Sequence, residues 1–203
     1  MSISLPNNTK KILMILFFFV CVSCDKKVSL KDNNIKVVRF EKLFYNSDPA
    51  DLNQIKNRYP FFFPDSYPDS VWLNRLKDPI QLEIFNEIIK QYDSVIFLEI
   101  GLFKFFKSHI ELVDKFITPQ VITVNTDIDY RNKVILTDSL LLIGLDNYLG
   151  PNHKFYDGIP EYIKEDFTIP GIFSDVAEKY AYANIPRIEF YTFLDKIIYY
   201  GKV

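Results

Sequence analysis

"QVITVNTDIDYRNKVILTDSLLLIGLDNYLGP", Gln120–Pro151, is where the chain changes character. Two runs rich in β-branched residues flank the polar "TDIDYRN", the pattern of a β-hairpin with a longer loop. "SLLLIGLDNYLGP", Ser139–Pro151, then reads as a short helix. Asp138 or Ser139 caps it, Gly150 supplies a left-handed stop, and Pro151 seals the end. The other strand signal is "IKVVRF", Ile35–Phe40. The fold class expected from these runs is α+β, mainly helical with a small antiparallel β-sheet.

Helix signals surround this core. Asp48-Pro49 starts one helix, with Asp48 as cap and Pro49 in the first turn. Its inner face carries Leu52, Ile55 and Tyr59, and Pro60 ends it. Asp78-Pro79 repeats the signal, and Ile80, Ile84 and Ile88, flanked by Leu82, Phe85 and Ile89, form a helical stripe to about Gln91. Asp93 is placed to cap "SVIFLEIGLFKFFKSHIELVDKF", whose apolar residues on several sides predict a central helix. A short turn is expected near Glu161. "GIFSDVAEKYAYAN" and "RIEFYTFLDKIIYYG" read as two last helices split at Ile185-Pro186. Between the first two helices lies "YPFFFPDSYPDSVW", Tyr59–Trp72. Its rings are read as plugs between helices in preference to a binding platform, because scattered aromatics mostly serve cores.

The first residues have a different logic. Lys10 and Lys11 precede an uninterrupted apolar run, Ile12–Val22. Eleven residues make about 16 Å of helix, about half of what a hydrocarbon core requires. That length suits the apolar region of an export signal. Ser23 and Cys24 then complete "CVSC", which resembles a bacterial lipobox, although Cys21 stands where leucine is commonest. Residues 1–23 are therefore expected to be a lipoprotein signal peptide, with Cys24 lipidated (a palmitate-type anchor) as the new N-terminus. Residues 24–34, with the polar "DKKVSLKDNN" after the cysteine, form the tether, and 35–203 form one folded domain.

Composition agrees with export. The chain of 203 residues has a net charge of −2; loss of Lys10 and Lys11 with residues 1–23 leaves −4, which gives no basic footprint for nucleic acid. Cys21 leaves with the signal and Cys24 is acylated, so no thiol remains for a disulfide.

Catalytic signals are weak. A zinc-peptidase helix needs two histidines at i and i+4 with a glutamate between. His109 is followed by Glu111 and Val113, and His153 lies in a loop. Asp127 and Asp129 are two apart, without the central glycine and distal glutamate of a calcium loop, and read as solvated loop acids. Asp146 sits among Leu142, Ile143 and Leu145. If buried it requires a partner, for which Arg131 or Arg187 is placed. No catalytic residue, cofactor or metal ligand is expected.

"VVRFEKLF", "YPFFFPDS", "VWLNRLKDPIQLEIFNEI", "ITVNTDIDY" and above all "LLIGLDNYLGPNHKFYDGIPEYI" resemble the gliding motility lipoprotein GldB of Bacteroidota, over nearly all of residues 24–203. The resemblance implies a non-catalytic scaffold of the gliding apparatus, lipid-anchored in the cell envelope and facing the periplasm. It also implies other gliding-machinery envelope proteins as partners. The family continues past "YYGKV", so its C-terminal part is expected to be missing from residues 35–203. Two other classes are open. A degenerate zinc-peptidase-like domain retained for binding would place its metal helix at "SLLLIGLDNYLG". A carbohydrate-binding lipoprotein would use the aromatic loop at Trp72.

Overall fold

In a computed structural model, residues 35–113, 116–186 and 189–202 are described. The signal, Cys24 and the tether lie outside the described residues, as does Arg187. The chain opens with β1 (Val37–Arg39) and α1 (Phe40–Tyr45). A 3-10 turn at Pro49–Asp51 leads into α2 (Leu52–Arg58), a second at Pro60–Phe62 precedes α3 (Asp69–Arg75), and α4 (Pro79–Gln91) and α5 (Ile96–Leu112) follow. Then come β2 (Gln120–Val124), β3 (Val134–Leu136) and β4 (Leu140–Gly144). The chain finishes with α6 (Glu161–Lys164), α7 (Ile169–Asn184) and α8 (Phe193–Tyr200).

The α+β class and the helical majority are as expected. The sheet is mixed, however, in place of the antiparallel sheet read from the sequence. Its order is β1-β2-β4-β3, with β1 and β2 parallel, β2 and β4 parallel, and β3 and β4 antiparallel. β2 and β3 are therefore not a hairpin, because β4 lies between them. The tight turn is the next one along, where Thr137 Oγ1 accepts from Leu140 N at 3.0 Å and Thr137 N donates to Leu140 O at 2.9 Å.

The helix expected over Ser139–Pro151 is β4 followed by a 3-10 turn at Leu145–Asn147. Leu140–Gly144 is paired on both sides, so its backbone groups are satisfied as a strand. Leu141 and Ile143 are fully buried on one face, while Leu142 packs on the other. Burial on both faces removes the alternation that identifies a strand and leaves an apolar run of ambiguous period. Gly150 does take a left-handed backbone, φ +100°, but in a loop, where its N–H donates to Phe167 O at 2.9 Å. The helical slot that a zinc-peptidase reading requires is thus a strand.

The helix starts were local and are present. Asp48 forms a capping box with Asp51, and Asp78 Oδ1 accepts from Ile80 N at 2.8 Å and Gln81 N at 3.1 Å. Ile84, Phe85 and Ile88 turn inward, but Ile80 is 65% exposed. Asp93 makes no cap: α5 begins after Val95 without a side-chain cap, and Asp93 lies in solvent beside Lys42.

One sheet face, carrying Val38, Ile122, Val124, Leu140 and Leu142, packs on a cluster built from α1, α2 and the aromatic loop. Tyr59 and Phe63 are its buried rings, so the reading of the loop as filling holds for them, whereas Phe61 and Tyr67 stay exposed. The opposite face is sealed, with Val121, Thr123, Leu141 and Ile143 all fully buried. α5 reaches it through Glu99, which accepts from Val37 N at 3.1 Å, and α7 through Asp175, paired with Lys133 at 2.7 Å. Leu98, Leu102 and Phe106 give α5 its fully buried stripe, each contributing about 2 kcal/mol. Gly101 admits α7: a Cβ there would overlap the Phe173 ring.

Candidate functional site

β1, β2 and β4 run in one direction, so their carboxyl ends, at Arg39, Val124 and Gly144, lie at one edge. Open sheets with parallel strands place ligand crevices at that edge. Three carboxylates collect here, those of Glu41, Asp127 and Asp146.

Asp146 follows β4 in the 3-10 turn and is fully buried. Its carboxylate accepts from Thr126 N at 3.1 Å, Thr126 Oγ1 at 3.0 Å and Ile128 N at 2.6 Å. Burial pushes its pKa up to about 6, and these hydrogen bonds oppose the rise without cancelling it. Among the described residues the partner is therefore a loop and not Arg131, while Arg187 lies outside them. Arg131 lies over the Tyr130 ring, and its N–H donates to Asp129. The loop that wraps Asp146 is bent: Asp127 has φ 62° and Ile128 φ 61°. A β-branched residue is rarely left-handed, and the donors fixed at Asp146 hold it there.

That bend turns Asp127 outward to meet Arg75. The two form a forked ion pair, with Nη1 to Oδ2 at 2.8 Å and a second bond from Nη2 to Oδ1. Asp129 accepts from Asn132 Nδ2 at 2.8 Å. Both are surface loop acids, as read from the sequence, and each is also paired. Next to Arg75, Asn125 Nδ2 donates to Tyr45 Oη and Gln81 Oε1, and Tyr45 Oη donates to Gln81 at 2.8 Å. Glu41, in the first turn of α1, is buried, paired with Arg39 Nε, and accepts from Thr123 Oγ1 at 2.8 Å.

Two cavities flank α3 on this side. An inner groove of about 280 Å³ runs beneath Phe40, Phe44, Phe62, Phe63 and Trp72 onto Leu142. An outer basin of about 480 Å³ is lined by Tyr67, Asn74, Asp78 and Gln81. Trp72 and Arg75 border both.

A second polar group joins β4 to α7. Tyr148 Oη donates to Asp175 Oδ2 at 2.6 Å, Lys133 pairs with the same oxygen, and Tyr92 Oη donates to Tyr148 O. Burial, and then Asp175, raise the Tyr148 pKa far beyond the usual phenol range. The histidines lie apart. His109 packs on Phe105 and Tyr180, and its pKa is lowered by burial. His153 caps the 3-10 turn Lys154–Tyr156 and reaches Glu87 at 3.4 Å.

Sequence reasoning singled out Asp146 and Asp127 and missed Arg75, Tyr45 and Thr126. No local motif marks those three, whose partners Asp127, Gln81 and Asp146 lie 52, 36 and 20 residues away. Among the described residues, no group of three or more His, Cys, Asp or Glu is placed to hold a metal ion, and no helix is long and apolar enough to cross a membrane.

Fold and site together define a helix-clad mixed-sheet domain whose buried acids fasten its own strands and loops. The family model described as gliding motility protein GldB matches residues 23–203, and the chain belongs to that family of gliding motility proteins. No curated protein and no solved structure matches it.

Proposed function

We propose that the chain is a lipid-anchored scaffold of the gliding apparatus, tethered through Cys24 and without a catalytic role. The observation that carries this reading is the family match, which runs from Ser23, adjacent to Cys24. The order Lys10-Lys11, apolar run, Ser23, Cys24 supplies the signal and the acylation site. Each buried methylene contributes about 0.8 kcal/mol, so a doubly or triply acylated cysteine stays on a bilayer. Exposed apolar side chains suit a scaffold: Phe193, Leu194, Ile197 and Tyr200 on α8 offer a face to other envelope components.

The test is Cys24→Ala in a gliding cell, with membrane fractionation and mass spectrometry of the N-terminal peptide. The variant is expected to remain unprocessed or unanchored and to stop gliding, whereas His109→Ala and His153→Ala keep gliding. An unmodified Cys24 in the native protein, or normal gliding by Cys24→Ala, overturns the reading. Separating inner from outer membranes assigns the anchor to one of them.

A further inference from the structure

The inner groove is largely aromatic. Its walls are aromatic rings, its floor is the sheet, and its polar lining is Arg75, Tyr45, Asn125 and the buried Glu41, whose charge is engaged by Arg39 and Thr123. At the ~30 Å³ of a packed water-sized group, its volume suits a chain of about ten carbons. The outer basin is mixed, with Tyr67 and Val71 beside Asn74 and Gln81, and it shares Trp72 and Arg75 with the groove. The indole Nε1 of Trp72 is buried and donates to no acceptor among the described residues. Arg75 is the only cation among the described residues lining either cavity. Asp78, the acid in the basin, is spent on capping α4.

An apolar slot, a cationic rim and an unsatisfied donor between them describe an amphiphile. We propose that this groove binds a single-chain anionic amphiphile, with its tail beneath Phe40, Phe44 and Phe62 and its carboxylate on the Arg75 fork. Asp127 now occupies that fork and acts as a built-in competitor. It can leave without unravelling its loop, because Thr126 and Ile128 fasten the loop to Asp146 independently. The inference is separate from the anchor at Cys24, which it neither requires nor tests.

Trp72 is the only tryptophan in the chain, so its emission reports on this groove alone. The experiment titrates 10-bromodecanoate against the full chain in phosphatidylcholine vesicles and reads bromine quenching of Trp72. Saturable quenching is expected. Asp127→Asn removes the competitor, and asparagine tolerates the left-handed backbone, so binding should tighten at least threefold. Arg75→Gln should weaken it at least fivefold while leaving 10-bromodecanol unaffected. Ile135→Phe, at the groove edge, should abolish quenching by both. A folding defect would weaken every variant, whereas the proposal requires Asp127→Asn and Arg75→Gln to act in opposite directions. Unsaturable quenching, quenching equal in all variants, or equal shifts for acid and alcohol in Arg75→Gln would overturn it.

Discussion

The Ile128 amide donates to the Asp146 carboxylate at 2.6 Å from a residue whose own backbone is left-handed, φ 61°. The acid is fully buried, and the loop bends around it to reach it. The acid therefore fixes the loop, and the loop's bend in turn aims Asp127 at Arg75.

Asp146 should make the fold more stable in mild acid. Its pKa in the fold is about 6, above its ordinary 3.8. A raised carboxyl pKa contributes stability that is fully present below about pH 4 and is lost as pH rises through about 6. Between pH 7 and pH 5 the wild type should gain about 1 kcal/mol relative to Asp146→Asn, read by urea unfolding of both at each pH. Equal pH profiles would count against a buried, titrating Asp146.

Asp146→Ala should cost about 3 kcal/mol at neutral pH, because three donors lose their acceptor inside the protein. Hydrogen exchange should localise the damage, with the amides of Thr126 and Ile128 losing protection before those of β2.

At the crossing of α5 and α7, Gly101→Val should destabilise by about 2 kcal/mol through overlap with the Phe173 ring. Adding Phe173→Ala should recover part of that loss. A double-mutant cycle with zero coupling would mean that the ring moves aside freely.

Lys133→Met leaves the half-buried Asp175 without its cation and should cost about 3 kcal/mol. Tyr148→Phe removes only one bond to the same carboxylate and should cost about 1 kcal/mol. Thermal melts of the two variants should preserve that order.

Two aspartates that look alike in sequence should behave differently. Asp78→Ala removes two accepted N–H bonds at the start of α4 and should cost about 1 kcal/mol. Asp93→Ala removes an exposed contact with Lys42 and should be within about 0.5 kcal/mol of wild type.

That contrast shows what was legible in the sequence. Asp-Pro pairs act within four residues, so Asp48 and Asp78 could be read as caps, and the stripe Ile84, Phe85, Ile88 followed from its spacing. Asp93 carries a similar residue type but lacks the proline, and no N–H falls to its side chain. β4 was illegible because its two-sided burial depends on the α1, α2 and aromatic-loop cluster on one face and on helices packed on the other, and Leu140–Gly144 is apolar enough for either helix or strand. Asp146 was recognisable as an acid needing a partner. That the partner would be backbone depended on the left-handed bend at Ile128, which no propensity predicts for isoleucine. Arg75 met Asp127 across 52 residues, beyond the reach of any local pattern.

Strand order also governs when this domain can take shape. β1 pairs at Val37 with Val121, a partner synthesised 84 residues later, and β2 finds its other neighbour only once Leu140 has been made. Closing such long loops is slow, and no early subset of the chain has a sheet to rest on. Among the described residues, a nascent fragment ending before Gln120 has no strand partner for β1, so the first half of the domain is made before its sheet can close.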